Sequence, residues 1–168
     1  MTSAQLLTDA FERIRQGVHE VLENSTPAAL LARVGDQGNS VAWLVWHLTR
    51  IQDDHLAGIT GAEQVWTAAG WDRRFDLPLD PSDTGYGHGP REVAAVRADA
   101  ENLRGYFDAV HGATIGFVES VSDGDLDRVV DTRWDPPVTM GVRLVSVIAD
   151  DLQHVGQAAY VKGLPAGR

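Results

Sequence analysis

The chain has 168 residues, 43% of them apolar and 23% charged, which is enough for one globular domain with a core of its own. It contains no cysteine, so disulfides, iron–sulfur clusters, thiolate metal sites and a cysteine nucleophile are excluded, and any thiol chemistry needs a thiol from outside. A formal net charge of −10 repels phosphate backbones and anionic headgroups, so neither nucleic acid nor a membrane surface is an expected partner.

Four segments carry a helical period, and the rest makes no convincing set of strands. The first runs from about Thr2 to Glu23, with Leu7, Phe11, Ile14, Val18 and Val21 as one apolar stripe, and Asn24, Ser25 and Pro27 end it. This start carries Asp9 and Glu12 and does not read as a signal peptide; no run approaches the ~18 apolar residues that span a bilayer. A cytoplasmic location is the corresponding expectation.

The second segment opens at Asn39-Ser40, both good helix caps, and continues through VAWLVWHLTRIQDDHLAGI to Gly61. Its first half is apolar nearly all round, with Trp43, Leu44, Val45 and Trp46, and belongs in the middle of the core. Residues 62–89 follow, holding Trp66, Trp71, Phe75, Pro78, Pro81, Tyr86 and His88 among glycines and aspartates. Structureless loops beyond about fifteen residues are uncommon in compact domains. This one has too many aromatics for a solvated linker and is expected to pack over one end of the bundle.

The third helix begins after Gly89-Pro90 and carries a stripe from Val93 through Val96, Ala100, Leu103, Phe107, Val110 and Thr114 to Phe117, with Gly112 and Gly116 as candidate bends. Between Asp123 and Pro137 the segment RVVDTRW reads as a short extended piece, and the acidic DGDLDRVVD lacks the spacing of a calcium loop. The fourth helix, capped by Thr139, runs from Met140 to about Lys162, where Gly163 and Pro165 stop it. The expectation is one all-α domain over residues 1–168, an antiparallel four-helix bundle. Long apolar helices also allow a homodimer, without marking an interface.

Three polar residues sit where apolar ones are expected. Asp150 and His154 are one turn apart on the fourth helix, flanked by Leu144, Ile148 and Val155, and His47 lies between Trp46 and Leu48. Burying a carboxylate costs several kcal/mol unless it is paired or binds a metal. Two histidines and one carboxylate converging from two helices would satisfy a divalent cation: zinc first, nickel or ferrous iron as alternatives, with positions left open. By spacing alone, a hydrogen-bonded i,i+4 pair and an ordinary core histidine are the simpler account.

The second helix SVAWLVWHLTRIQDDHL, with its WHLxR core, and the fourth-helix segment DDLQHVGQAAY resemble the DinB-like superfamily. Within it, they are most similar to the actinobacterial branch that includes mycothiol-dependent maleylpyruvate isomerase. The resemblance implies a four-helix bundle whose metal is bound by one second-helix histidine, which falls on His47, and an HxxxH pair on the fourth. The last histidine of that pair falls on His154; the first falls on Asp150, where the mycothiol-dependent branch has glutamate, and the shorter carboxylate puts metal strength and position in doubt. The implied function is thiol (mycothiol)-dependent transfer to, or isomerisation of, a small-molecule substrate. The alternatives are a metal-dependent hydrolase and a non-catalytic bundle that binds a metal or small ligand.

Other residues carry weaker expectations. In DTGYGHG, Tyr86 and His88 stand among glycines that let the chain bend sharply; if this loop closes over the site they are the candidates for proton transfer or substrate contact, and an ordinary surface turn is the equal alternative. Asp53, Asp54 and His55 read as the polar end of the second helix, with Asp54 as an alternative support for a ligand. Gln157 is expected to hydrogen-bond across the bundle, Arg50 to pair with an acid or an anionic substrate, and Trp134 to line a mouth or precede the fourth helix. No phosphate-binding glycine loop, GxSxG or HExxH motif occurs.

Overall fold

A computed structural model describes residues 1–35 and 37–164. Helix α1, Ser3–Leu22, starts from a capping box: Thr2 accepts from the Gln5 amide at 3.2 Å, and the Gln5 side chain accepts from Thr2 N–H at 3.0 Å. Its predicted stripe is buried. After the short α2, Pro27–Leu31, helix α3 spans Val41–Thr60 between an N-cap at Ser40 and the left-handed Gly61. It is the central helix, buried on almost every side through its first half.

Residues 62–89 contain two short helices, α4 Val65–Ala68 and α5 Trp71–Phe75, packed against α3 and α7 (Ala100–Val118). Trp66, Phe75 and Tyr106 form an aromatic cluster with ring centroids 4.9–5.9 Å apart. Trp66 and Phe75 of this segment are therefore part of the core, while most of its other residues stay at the surface.

The third predicted helix is two helices. Helix α6, Pro90–Ala95, ends at Val96, and α7 restarts because Asp99 takes an extended backbone and accepts the Asn102 N–H at 2.7 Å. The apolar stripe crosses this break because Val96 is itself buried, which is why periodicity alone misses it. Gly112 and Gly116, by contrast, lie within the continuous α7.

A 3-10 turn, Asp123–Asp127, leads to β1, Val129–Asp131, which pairs antiparallel with β2, Val138–Thr139. Helix α8 runs from Met140 to Gly163 with Thr139 as N-cap. The expected stop at Pro165 falls outside the described residues. Helices α1, α3, α7 and α8 form the bundle; α3 and α1 each pack against both α7 and α8. Close approach of α1 and α8 requires Gly17, where a Cβ would lie 2.5 Å from Val155 Cγ1. Among the described residues no helix is long and apolar enough to cross a membrane.

Candidate metal centre

The α3–α8 contact brings His47, Asp150 and His154 together, one ligand atom from each lying within 4.8 Å of the others. His154 Nε2 is 3.6 Å from Asp150 Oδ1, and the two histidine rings meet edge to face with centroids 4.8 Å apart. His47 is 6% exposed, with Trp43 stacked on it at 4.5 Å.

Each histidine is oriented through its other nitrogen. His47 Nδ1 is 2.6 Å from the carbonyl oxygen of Thr84, which can only accept, so the proton sits on Nδ1 and the Nε2 lone pair is free. His154 Nδ1 likewise donates to Gln157 Oε1 at 2.9 Å, which leaves Nε2 toward Asp150. Asp150 Oδ2 is buried without a hydrogen-bond partner among the described residues. Outward-bonded Nδ1 atoms, inward Nε2 atoms and an unsatisfied carboxylate oxygen fit a divalent cation, and three protein ligands leave positions for other ligands.

The local electrostatics of His47 and Asp150 suit the same use. Burial lowers the His47 pKa against the Thr84 hydrogen bond and favours the neutral, ligating imidazole. For Asp150, burial pushes upward, but hydrogen bonding and charge from His154 prevail and hold its carboxyl below the usual value. His154 is opposed by burial and raised by Asp150 and Gln157.

A second layer fixes His47. Gly85, at φ +90°, lies so close that a Cβ would be 2.5 Å from His47 Nδ1 and 3.1 Å from Trp46 Cζ3. Arg50 holds the same turn by donating to the carbonyl of Asp83 at 3.0 Å and of Pro81 at 3.4 Å, and to Gln64 Oε1 at 2.6 Å. Its guanidinium also lies over Trp66 at 5.0 Å. Asp53 accepts the Val65 and Trp66 amides and the Tyr106 hydroxyl, each at 2.8 Å.

Asp53 is therefore a buried anchor for α4 and not part of a polar helix end, and Arg50 works on backbone carbonyls as well as on its acid neighbour, 3.8 Å away. Asp54 accepts from Gln64 at 2.8 Å; His55 faces Arg143 at 3.5 Å. Gln157 bonds within its own helix and not across the bundle, because His154 lies one turn away and offers the nearer donor.

His88 Nδ1 accepts the Trp43 indole N–H at 3.1 Å, its ring stacks on Trp46 at 5.9 Å, and its Nε2 lies 3.1 Å from Asp83 Oδ1. Tyr86 is 89% exposed and bonds to none of the triad among the described residues. Trp134 is also exposed. One buried acid went unseen in the sequence: Asp151 is enclosed with neither carboxylate oxygen hydrogen-bonded among the described residues, and burial, aided by Asp150, pushes its pKa well up. The adjacent Asp-Asp pair was the available signal, since neighbouring helix positions point about 100° apart and cannot both face one cation.

A family model for the DinB superfamily matches residues 10–158. A crystal structure of a conserved protein of a locus from Enterococcus faecalis superposes with a TM-score of 0.89 at 31% identity, covering 96% of each chain. No curated protein matches the sequence significantly.

Proposed function

Because this chain belongs to the DinB superfamily and brings His47, Asp150 and His154 to one point, we propose that it is a metal-dependent enzyme that uses a low-molecular-weight thiol, mycothiol or a close equivalent, to transfer to or isomerise a small molecule. The observation that carries the reading is the set of inward lone pairs, two imidazole and one carboxylate, with no donor among the described residues to satisfy Asp150 Oδ2. A divalent cation bound there, zinc before nickel or iron, supplies Lewis acidity and lowers the pKa of an incoming thiol into the neutral range. The absence of cysteine means that the nucleophilic sulfur comes with the cosubstrate.

The chain's own groups then divide the remaining work. Thr84 and Gln157 keep both Nδ1 protons outward, so that both Nε2 atoms are aimed at the site. Trp43, stacked on His47 and edge-on to His154, walls the site and excludes water from the His47 side. We assign substrate contact to Tyr86, which stands exposed between Gly85 and Gly87, and proton transfer to His88, whose Nε2 lies 3.1 Å from Asp83 Oδ1.

The test is conjugation of mycothiol to an electrophilic bimane by zinc-, nickel- or iron-loaded protein, with an ester probe assayed alongside. The proposal expects thiol conjugation that a chelator abolishes and that His47→Ala and His154→Ala lack. Ester cleavage without thiol use would establish a hydrolase instead. Neither activity in metal-loaded protein would leave a metal-holding bundle without thiol chemistry.

A further inference from the structure

The solvent side of α8 carries no charge over most of its length, although the chain is at −10 overall. Val142, Val145, Ala149, Leu152, Gly156 and Ala159 are all exposed and recur at alternating intervals of three and four residues. Val142, Val145 and Leu152 are 58%, 62% and 46% exposed, large values for apolar side chains on a well-formed helix. The row beside them, Ser146, Gln153 and Gln157, is polar but uncharged. Helix α1 shows the ordinary alternative: its solvent face presents Asp9, Arg13 and Glu20, and Arg13 pairs with Asp9 at 2.7 Å.

We propose that this face is the interface of a homodimer in which α8 packs antiparallel against α8 of a second copy. Two observations select a second copy as the occupant. Copies of an acidic protein repel one another wherever their carboxylates meet, and a face without charge escapes that repulsion. The seam is also self-complementary. Its spacing is symmetric about the point midway between Asp150 and Asp151, so an antiparallel partner sets Val142 opposite Ala159, Val145 opposite Gly156 and Ala149 opposite Leu152. Every pair joins a larger side chain to a smaller one. A parallel partner would crowd valine on valine at one end and leave glycine facing glycine at the other.

Spacing of three and four is that of a helix-pair seam, and the six positions extend over about 26 Å at 1.5 Å per residue. A two-fold axis through the middle of the seam closes the assembly at two copies. Gln157, the support of His154, borders the seam, so the dimer steadies the helix that carries two of the three converging residues.

The experiment is sedimentation of the full chain at micromolar concentration, with Ala149→Glu and Leu152→Lys as charge-introducing variants. Both sites are exposed, so each variant should keep wild-type helicity while the dimer is lost. Because the chain has no cysteine, the double variant Val142→Cys/Ala159→Cys reports the direction of packing. The two thiols are too far apart along one helix to meet, and mild oxidation should link two chains, whereas neither single variant should link. A monomeric wild type overturns the proposal and leaves the face to another occupant. A dimer that survives both charge variants, or one linked by either single cysteine, overturns it as well.

Discussion

His47 and Arg50 stand three residues apart on α3, both buried among aromatic rings, yet their surroundings are built on opposite principles. Around Arg50 the polar groups close on themselves: Asp53 receives two backbone amides and a tyrosine hydroxyl, and the guanidinium spends its donors on carbonyls and Gln64. Around His47 the groups are oriented from outside and left open inside, with Asp150 Oδ2 unsatisfied. A buried polar cluster that is satisfied rigidifies a fold; one whose acceptors converge on nothing is prepared for something to bind. The two clusters also touch, since the turn that Arg50 holds at Asp83 is the turn whose next carbonyl orients His47.

The sharpest way to break this contrast is to open the closed cluster. Arg50→Met leaves the Asp53 carboxylate buried without its cation and should cost about 3–5 kcal/mol in denaturant unfolding, as expected when one partner of a buried pair is removed. A much smaller loss would mean that the cluster is not a structural anchor. Gly85→Ala strikes the contact between the clusters. Its Cβ collides with His47 Nδ1, so the Thr84 carbonyl must withdraw, and metal affinity should fall ~10–100-fold, the usual consequence of losing the hydrogen bond behind a ligating histidine. Isothermal titration with zinc measures it, and unchanged affinity would remove the loop from the account.

Gln157→Leu removes the corresponding support from His154. Water can replace that exposed amide, so a weakening at the low end, about tenfold, is expected in the same titration. The smallest effect lies away from both clusters. Hydrogen bonds from Arg133 hold the Asp131 carboxyl below the usual aspartate range, with Arg143 bonded to the same group at 2.9 Å. An unfolded aspartate titrates near ~3.9, so this pairing contributes fully above about pH 4 and fades as pH falls toward the lower folded value. Asp131→Asn should therefore be less stable than wild type near neutrality, and the gap should narrow below pH ~4 in melting curves. A gap that stays constant with pH would show that the charge of Asp131 contributes nothing.

Features decided by neighbours in sequence were legible without coordinates. Ser40, Gly61 and Thr139 mark helix ends because capping is a local contest for backbone groups, and the structure uses each of them as a cap. The triad was legible only in part: the cost of burying such groups raised the question, spacing alone favoured an ordinary polar pair and a core histidine, and the resemblance of the two helix motifs singled out His47, Asp150 and His154. The break before Asp99 was not, since buried Val96 continues the apolar stripe across it. The anchoring of residues 62–89 was hidden for another reason. Asp53 finds its partners 12 to 53 residues away, and no periodicity records such distances. Gln157 misled because a long polar side chain can serve its own helix as readily as a neighbour.

The central claim is that His47, Asp150 and His154 together hold one divalent ion. The direct measurement is elemental analysis of zinc-reconstituted protein beside His47→Ala and His154→Ala, with a melting curve for each. The account predicts about one equivalent of metal in wild type and none in either variant, while both variants still melt cooperatively. A folded wild type that retains no metal, or variants that retain as much as wild type, would contradict it.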